Sequence, residues 1–140
     1  MLIHFEIATP ERAVLKEEIQ QITAPTTAGE ITVLPRHISL VSVLKPGVLE
    51  IKTATGEIET MAVAGGFIEV LPDKVVVLAD SAQRAMEIDE AAAEQAKERA
   101  EQLMAEQTEH TEIATTEAQL AHAVAQLNAV KRYKTIRSRS

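Results

Sequence analysis

The stretch VVVLADSAQRAMEIDEAAAEQAKERA, residues 75–100, changes character halfway along. Val75 to Leu78 form an unbroken apolar run, which predicts a strand covered on both faces. From Ile88 onward Ala, Glu and Gln dominate, all good helix formers. The rest of the chain follows the same division. All five Gly and all five Pro lie before residue 85, and the 55 residues after it contain neither. The chain therefore reads as a β domain, residues 1–84, followed by a helical domain, residues 85–140, with helix over about 88–138. The fold class is α+β: an antiparallel β-sandwich or flattened barrel, then an antiparallel two-helix hairpin or two extended helices.

Within the β domain, short apolar runs alternate with turn signals. LIHFEIAT and AVLKEEIQQITA are strands, PTTAGE is a turn, and EITVLP is the next strand. ISLVSVL runs into KPG, where Pro46 presets φ at the second turn position and Gly47 takes positive φ at the third. VLEIKTATGEIETMAV is a hairpin turning near Thr55-Gly56. GGFIEVLPDKVVVLAD is a second hairpin, closed by Pro72-Asp73. Ala64-Gly65-Gly66-Phe67 lacks the Lys-Ser/Thr pair of a phosphate loop. It reads as a bulge or tight turn, with Phe67 beginning a strand.

In the helical domain, Asp89 either caps the first helix or lies in its first turn, where acid complements the dipole. Ile88, Ala92, Ala96, Ala100 and Leu103 form one stripe. After a polar break, TEHTE at 108–112, Ile113, Leu120, Val124, Leu127 and Val130 form another. Ala-rich inner faces contribute only about 0.8 kcal/mol per buried methyl, so two or three large residues per helix carry the packing. Such a hairpin is marginal and can dock, undock or extend at modest cost.

Composition excludes several function classes. The chain has 140 residues, no Cys and a net charge of -7. Disulfides, thiolate ligands and thiol nucleophiles are excluded, which fits a reducing compartment. No apolar run is long enough to span a bilayer, and MLIHFEIATPER has no secretory-leader pattern. Acidity and the scarcity of aromatics argue against nucleic acid. His4, His37, His110 and His122 show no metal-ligand spacing. Glu94, Lys97, Glu98, Arg99 and Glu101 read as surface pairs. No nucleophile–base set stands out, and an enzyme is not expected.

The last ten residues, KRYKTIRSRS, break the acidic pattern. They hold five cations, whereas residues 1–130 hold nine basic and 21 acidic residues, a net of -12. One or two cations would satisfy the helix C-terminal dipole. Five point to an acidic partner surface. An acidic lipid surface and self-docking onto the acidic body are the alternatives, though the apolar face is thin for membrane insertion.

Four stretches in order carry a family resemblance: GEITVLPRHISLVSVLKPGVLEI, VAGGFIEVLPDKVVVLAD, EIDEAAAEQAKERAEQ and LAHAVAQL. With this order and spacing, the chain resembles the epsilon subunit of bacterial F-type ATP synthases over nearly its whole length. The resemblance implies a non-catalytic central-stalk subunit of a proton- or sodium-driven enzyme, peripheral on the cytoplasmic face of the cell membrane. The β domain would bind the gamma subunit and the polar loops of the c-ring, through the region of Glu30, Arg36 and His37. Arg36 stands where the family commonly has Gly. The helices would switch between a folded hairpin and an extended form reaching the alpha and beta subunits. Lys131, Arg132, Lys134, Arg137 and Arg139 would then face an acidic segment of beta and block hydrolysis.

Some members of that family bind ATP through Ile/Leu-Asp-x-x-Arg-Ala plus further arginines. Ile88, Asp89 and Ala93 match this motif, Ala92 replaces its arginine, and Arg99 remains. His122 and Gln126 stand where strong binders carry arginines. Three missing cations remove charge-assisted bonds of roughly 1.5–3 kcal/mol each. The expectation is no required cofactor and weak or absent ATP binding, with or without Mg. An ATP-sensing regulator and a generic β-sandwich adaptor are the alternative readings.

Overall fold

Alternation sets the first strand, β1 (Ile3–Ala8): Ile3, Phe5 and Ile7 are buried and His4 is exposed. The computed structural model describes residues 1–106 and 110–139, apart from the side chains at 14, 110, 111 and 139. The further strands are β2 (Ala13–Thr26), β3 (Gly29–Val33), β4 (Leu40–Val43), β5 (Gly47–Thr53), β6 (Ile58–Val70) and β7 (Lys74–Arg84). Five of them close a barrel in the order β1–β7–β6–β5–β2, sealed by pairing of β1 with β2. β3 extends the sheet beyond β2, and β4 pairs with β6. All pairings between these strands are antiparallel except β1 with β7, which is parallel. Closure removes most exposed strand edges. Phe5, Ile7, Ile19, Ile22, Leu49, Ile51, Met61 and Ile68 fill the interior.

Both expected hairpins form. Thr53 and Glu57 flank the first turn, where Gly56 takes φ 90. The Leu71 and Lys74 N–H groups each donate to the other's carbonyl around Pro72-Asp73.

Three local expectations are corrected. Val75 to Leu78 are not covered on both faces: Val75 and Val77 are fully buried, whereas Leu78 is 57% exposed. β7 has the barrel core on one side only, and none of the described residues buries Leu78. Ala64-Gly65-Gly66-Phe67 is neither turn nor bulge. β6 continues through it with the same register to β7 on both sides, from Met61 opposite Arg84 to Val70 opposite Val75, while the buried side chains change from Met61 and Val63 to Ile68 and Val70 across two positive-φ glycines. The glycines permit close approach instead. Gly66 has φ 110, and a Cβ there would strike the Leu78 carbonyl and lie 2.7 Å from Ala79 Cα. At KPG, Gly47 does not take positive φ. β4 and β5 lie end to end along β6, with Val43 opposite Phe67 and Gly47 opposite Val63, so the chain kinks there without reversing. Gly47 is small for another reason: a Cβ would come 3.0 Å from the Pro25 side chain.

Arg84 ends β7, and a 3-10 turn, Ala85–Glu87, leads to helix α1 (Glu90–Glu106). Asp89 caps α1: its Oδ1 accepts the Ala92 N–H at 3.1 Å. Helix α2 (His110–Arg139) contains 30 residues. Of the expected break at 108–112, His110 to Glu112 are already helical, and 108 and 109 lie outside the described residues.

The helices form the folded antiparallel hairpin. α1 packs on α2, and α2 packs on β5 and β6. The expected stripes of large residues do not carry this packing. Ala93 and Ala100 are the buried residues of α1, whereas Ala92 is exposed and Leu103 is 37% exposed. On α2 the buried residues include Ala123, Ala125, Ala129 and Val130, while Ile113, Leu120, Val124 and Leu127 are half-buried. Small side chains let the backbones approach closely. Ala125 and Ala129 meet Ala62 and Ala85, with Val48, Ile88 and Tyr133 around them.

Candidate functional site

The basic end of α2 folds back onto the chain's own acids. Arg132 Nη1 donates to Glu50 Oε2 on β5 at 3.1 Å. Lys134 Nζ donates to Glu90 Oε2, the first residue of α1, at 2.6 Å. Arg137 Nη1 donates to the Tyr133 hydroxyl at 3.2 Å, and its guanidinium carbon lies 5.6 Å from that ring's centre. Lys131 lines an open groove with Arg132, Lys45 and Glu30. The Arg139 side chain lies outside the described residues. The five expected cations thus share one helix end but do not act as one cluster. Their acceptors, Glu50 and Glu90, were not foreseen from the sequence. Two further polar ties seat α2 on the barrel. Gln126 Nε2 donates to Gln83 Oε1 at 2.6 Å, and the Thr60 hydroxyl donates to the Ala129 carbonyl at 3.5 Å.

Glu30 is exposed on β3, in that groove beneath α2. Arg36 and His37 lie in the loop after β3. The Arg36 N–H donates to the Pro72 carbonyl at 2.7 Å, tying this loop to the β6–β7 turn. Arg36 takes φ 67, a left-handed backbone that glycine adopts without strain. His37 Nδ1 sits 2.7 Å from the Ile38 carbonyl, which its protonated nitrogen can satisfy. Leu34 and Ile38 on this loop are exposed.

A second surface lies on the outer face of the barrel, away from α2. Cross-strand register places Val43, Phe67 and Leu78 side by side on β4, β6 and β7. They are 44%, 55% and 57% exposed. Three large apolar side chains in one row on a mostly acidic protein mark a contact surface. The run of valines drew attention to β7, but only the register reveals the row.

The positions compared with an ATP motif do not converge on one point. Ile88 packs against the barrel-facing alanines, and Asp89 is used as the cap of α1. Ala92 is exposed in the first turn. Arg99 lines a groove between the helices with His122, Gln119 and Thr115. Gln126 is engaged by Gln83.

One electrostatic anomaly lies at the barrel's end. Glu17 Oε1 and Glu59 Oε2 are buried and have no hydrogen-bond partner. Burial pushes the Glu17 carboxyl above the usual carboxylate range. The Glu59 charge pushes the same way, and Arg84 pulls it part of the way back. Among the described residues, no three His, Cys, Asp or Glu side chains come together as metal ligands. No described helix is long and apolar enough to cross a membrane.

A small closed barrel with an exposed apolar row, carrying a helical hairpin docked through alanines, is the build of a docking subunit. Comparison with known proteins makes this specific. Residues 2–85 match the beta-sandwich domain of the ATP synthase delta/epsilon chain, and residues 86–131 match its long alpha-helix domain. The ATP synthase epsilon chain of Nitrosococcus oceani is 40% identical over 134 residues, 96% of each chain. That of Chloroflexus aggregans is 43% identical over 140 residues, 100% of each chain. The fold matches a chain in the Euglena gracilis mitochondrial ATP synthase (OSCP/F1/c-ring) with a TM-score of 0.78 at 24% identity, covering 96% of this chain and 81% of that one. The chain belongs to the ATP synthase delta/epsilon family, whose members are non-catalytic stalk subunits.

Proposed function

We propose that this chain is a rotor subunit of a proton- or sodium-driven F-type ATP synthase, peripheral on the cytoplasmic face of the bacterial membrane. In this reading the barrel couples the gamma subunit to the c-ring. The row Val43, Phe67 and Leu78 is the observation that carries it, because side chains this apolar gain about 25 cal/mol per Å² when a partner covers them. Gamma takes this row. The loop holding Arg36 and His37, with Glu30 on β3 before it, meets the polar c-ring loops. The hairpin is the regulatory element. On extension it reaches the alpha and beta subunits, and Lys131, Arg132, Lys134, Arg137 and Arg139 meet an acidic surface of beta, restraining hydrolysis.

ATP is not required. Arg99 in the interhelical groove favours some affinity for a nucleotide, with or without Mg, but Ala92, His122 and Gln126 stand where strong binders carry arginines. Weak or absent binding follows, and a micromolar affinity by calorimetry would make ATP sensing the better reading. The main test is ATPase turnover of catalytic heads stripped of this subunit. Either the full chain or one ending at Arg84 is added back. Inhibition by the full chain alone supports the regulatory role of the helices. Binding by both without inhibition leaves only the coupling role. Phe67→Glu with Leu78→Glu should abolish binding to gamma, and retained binding refutes the assignment of the apolar row.

A further inference from the structure

We propose that the hairpin is released in two separable steps, each held back by its own ion pair. Arg132–Glu50 retains α2 on the barrel, and Lys134–Glu90 keeps the two helices together. The inference rests on the reading of the helices as mobile and says how that motion is controlled.

Helix geometry separates the two pairs. Side chains two residues apart on an α-helix point about 200° apart around its axis. Arg132 and Lys134 therefore face nearly opposite ways, one to the barrel and one to α1. Glu50 stands opposite Thr60 in the β5–β6 register, and the Thr60 hydroxyl holds the Ala129 carbonyl. Arg132 thus closes the same patch that Ala129 and Gln126 dock on. Glu90 belongs to α1, which packs on α2. Undocking the intact hairpin breaks Arg132–Glu50 and spares Lys134–Glu90. Opening the hairpin does the reverse.

These pairs matter because the apolar contact is built from alanines. Each is a partly exposed pair, weak in absolute terms, and Lys134–Glu90 is the more exposed, at 63% and 53% against 42% and 30%. Added salt weakens both pairs. Two of the five cations, Arg132 and Lys134, are thus engaged within the chain until released, and each is freed by a different step.

The chain has no cysteine, so spin labels can be placed freely. In the full chain, Ala54→Cys with Ser138→Cys reports the distance from barrel to α2. Ala91→Cys with Ser138→Cys reports α1 to α2. Pulsed dipolar spectroscopy then measures the separated fraction of each pair. Glu50→Gln should raise the barrel–α2 separated fraction about two- to fivefold and leave the α1–α2 fraction unchanged. Glu90→Gln should do the opposite. The charge swap Glu50→Lys with Arg132→Glu should restore docking. Both distances moving together in either variant, or a swap that fails to restore docking, overturns the two-step control and leaves mobility intact. No separated fraction in any variant or at any salt concentration overturns the mobile-helix reading and this control with it.

Discussion

Replacing Ala129 with Leu should weaken the docking of the hairpin and leave the barrel intact. Ala129 is fully buried between α2 and the barrel, in a patch with Ala62, Ala85 and Ala125. Four buried methyls contribute about 3 kcal/mol in all. A leucine at 129 forces three more carbons into a contact spaced for methyls, which costs about 1–3 kcal/mol. At about 2 kcal/mol the docked-to-undocked ratio falls roughly thirtyfold. Leu and Ala have similar helix propensity, so α2 itself is not weakened. The barrel core is a separate cluster that Ala129 does not enter. Hydrogen exchange on the full chain reads the result. Amides of α2 from about residue 120 onward should lose protection, while those of β1, β6 and β7 keep theirs. Unchanged α2 protection, or lost barrel protection, would refute the claim that this alanine patch sets docking.

Three further outcomes follow from the barrel. Glu17→Gln should raise the melting temperature at pH 7. The folded-state pKa of Glu17 is raised, so its contribution to stability is fully present below the unfolded value near 4.3 and lost as pH rises through the folded value. The variant's advantage should therefore vanish in melts near pH 4, and an advantage that persists there means the carboxylate is not the cause. Gly66→Ala should cost about 3 kcal/mol or more in urea unfolding, because its Cβ meets backbone atoms of β7 at a positive φ; a loss under 1 kcal/mol would show that β6 can shift there. Arg36→Gly should stabilise by roughly 0.5–1 kcal/mol, relieving the left-handed backbone at some cost in chain entropy. Equal stability of Arg36→Ala and Arg36→Gly would show that the gain does not come from φ.

What the sequence reveals here follows the range of the interaction that decides each feature. The turns at Thr55-Gly56 and Pro72-Asp73 and the cap at Asp89 are settled within a few residues, and all three were legible. KPG was misread because its local chemistry suits a turn, whereas the alignment of β4 and β5 along β6 is a long-range fact. The glycine pair at 65–66 was misread for the same reason: what it makes room for is β7, more than ten residues away. Val75 to Leu78 looked doubly covered because an apolar run cannot say whether its second face meets this chain or another. Among the site residues, the cationic tail was visible as a charge pattern. Its acceptors were not, since Glu50 lies 82 residues from Arg132 and Glu90 lies 44 from Lys134. No local rule links such positions.

The failed expectation about the helices bears most on function. Of the large residues expected to carry the hairpin, Val130 is buried beside the alanines, whereas Leu120, Val124 and Leu127 stay half-exposed. A helix docked through leucines would give up about 1.5–3 kcal/mol for each one exposed on release. A helix docked through methyls gives up about 0.8 kcal/mol at each. Release from this interface is therefore cheap, and the half-exposed large residues still have apolar surface to offer a partner. On the proposed reading, an alanine patch closed by the weak Arg132–Glu50 pair would hold α2 on the barrel at rest and would let it go to a competing surface of modest affinity. That property suits a regulator that must return to rest, and it would not be expected of a purely structural clamp.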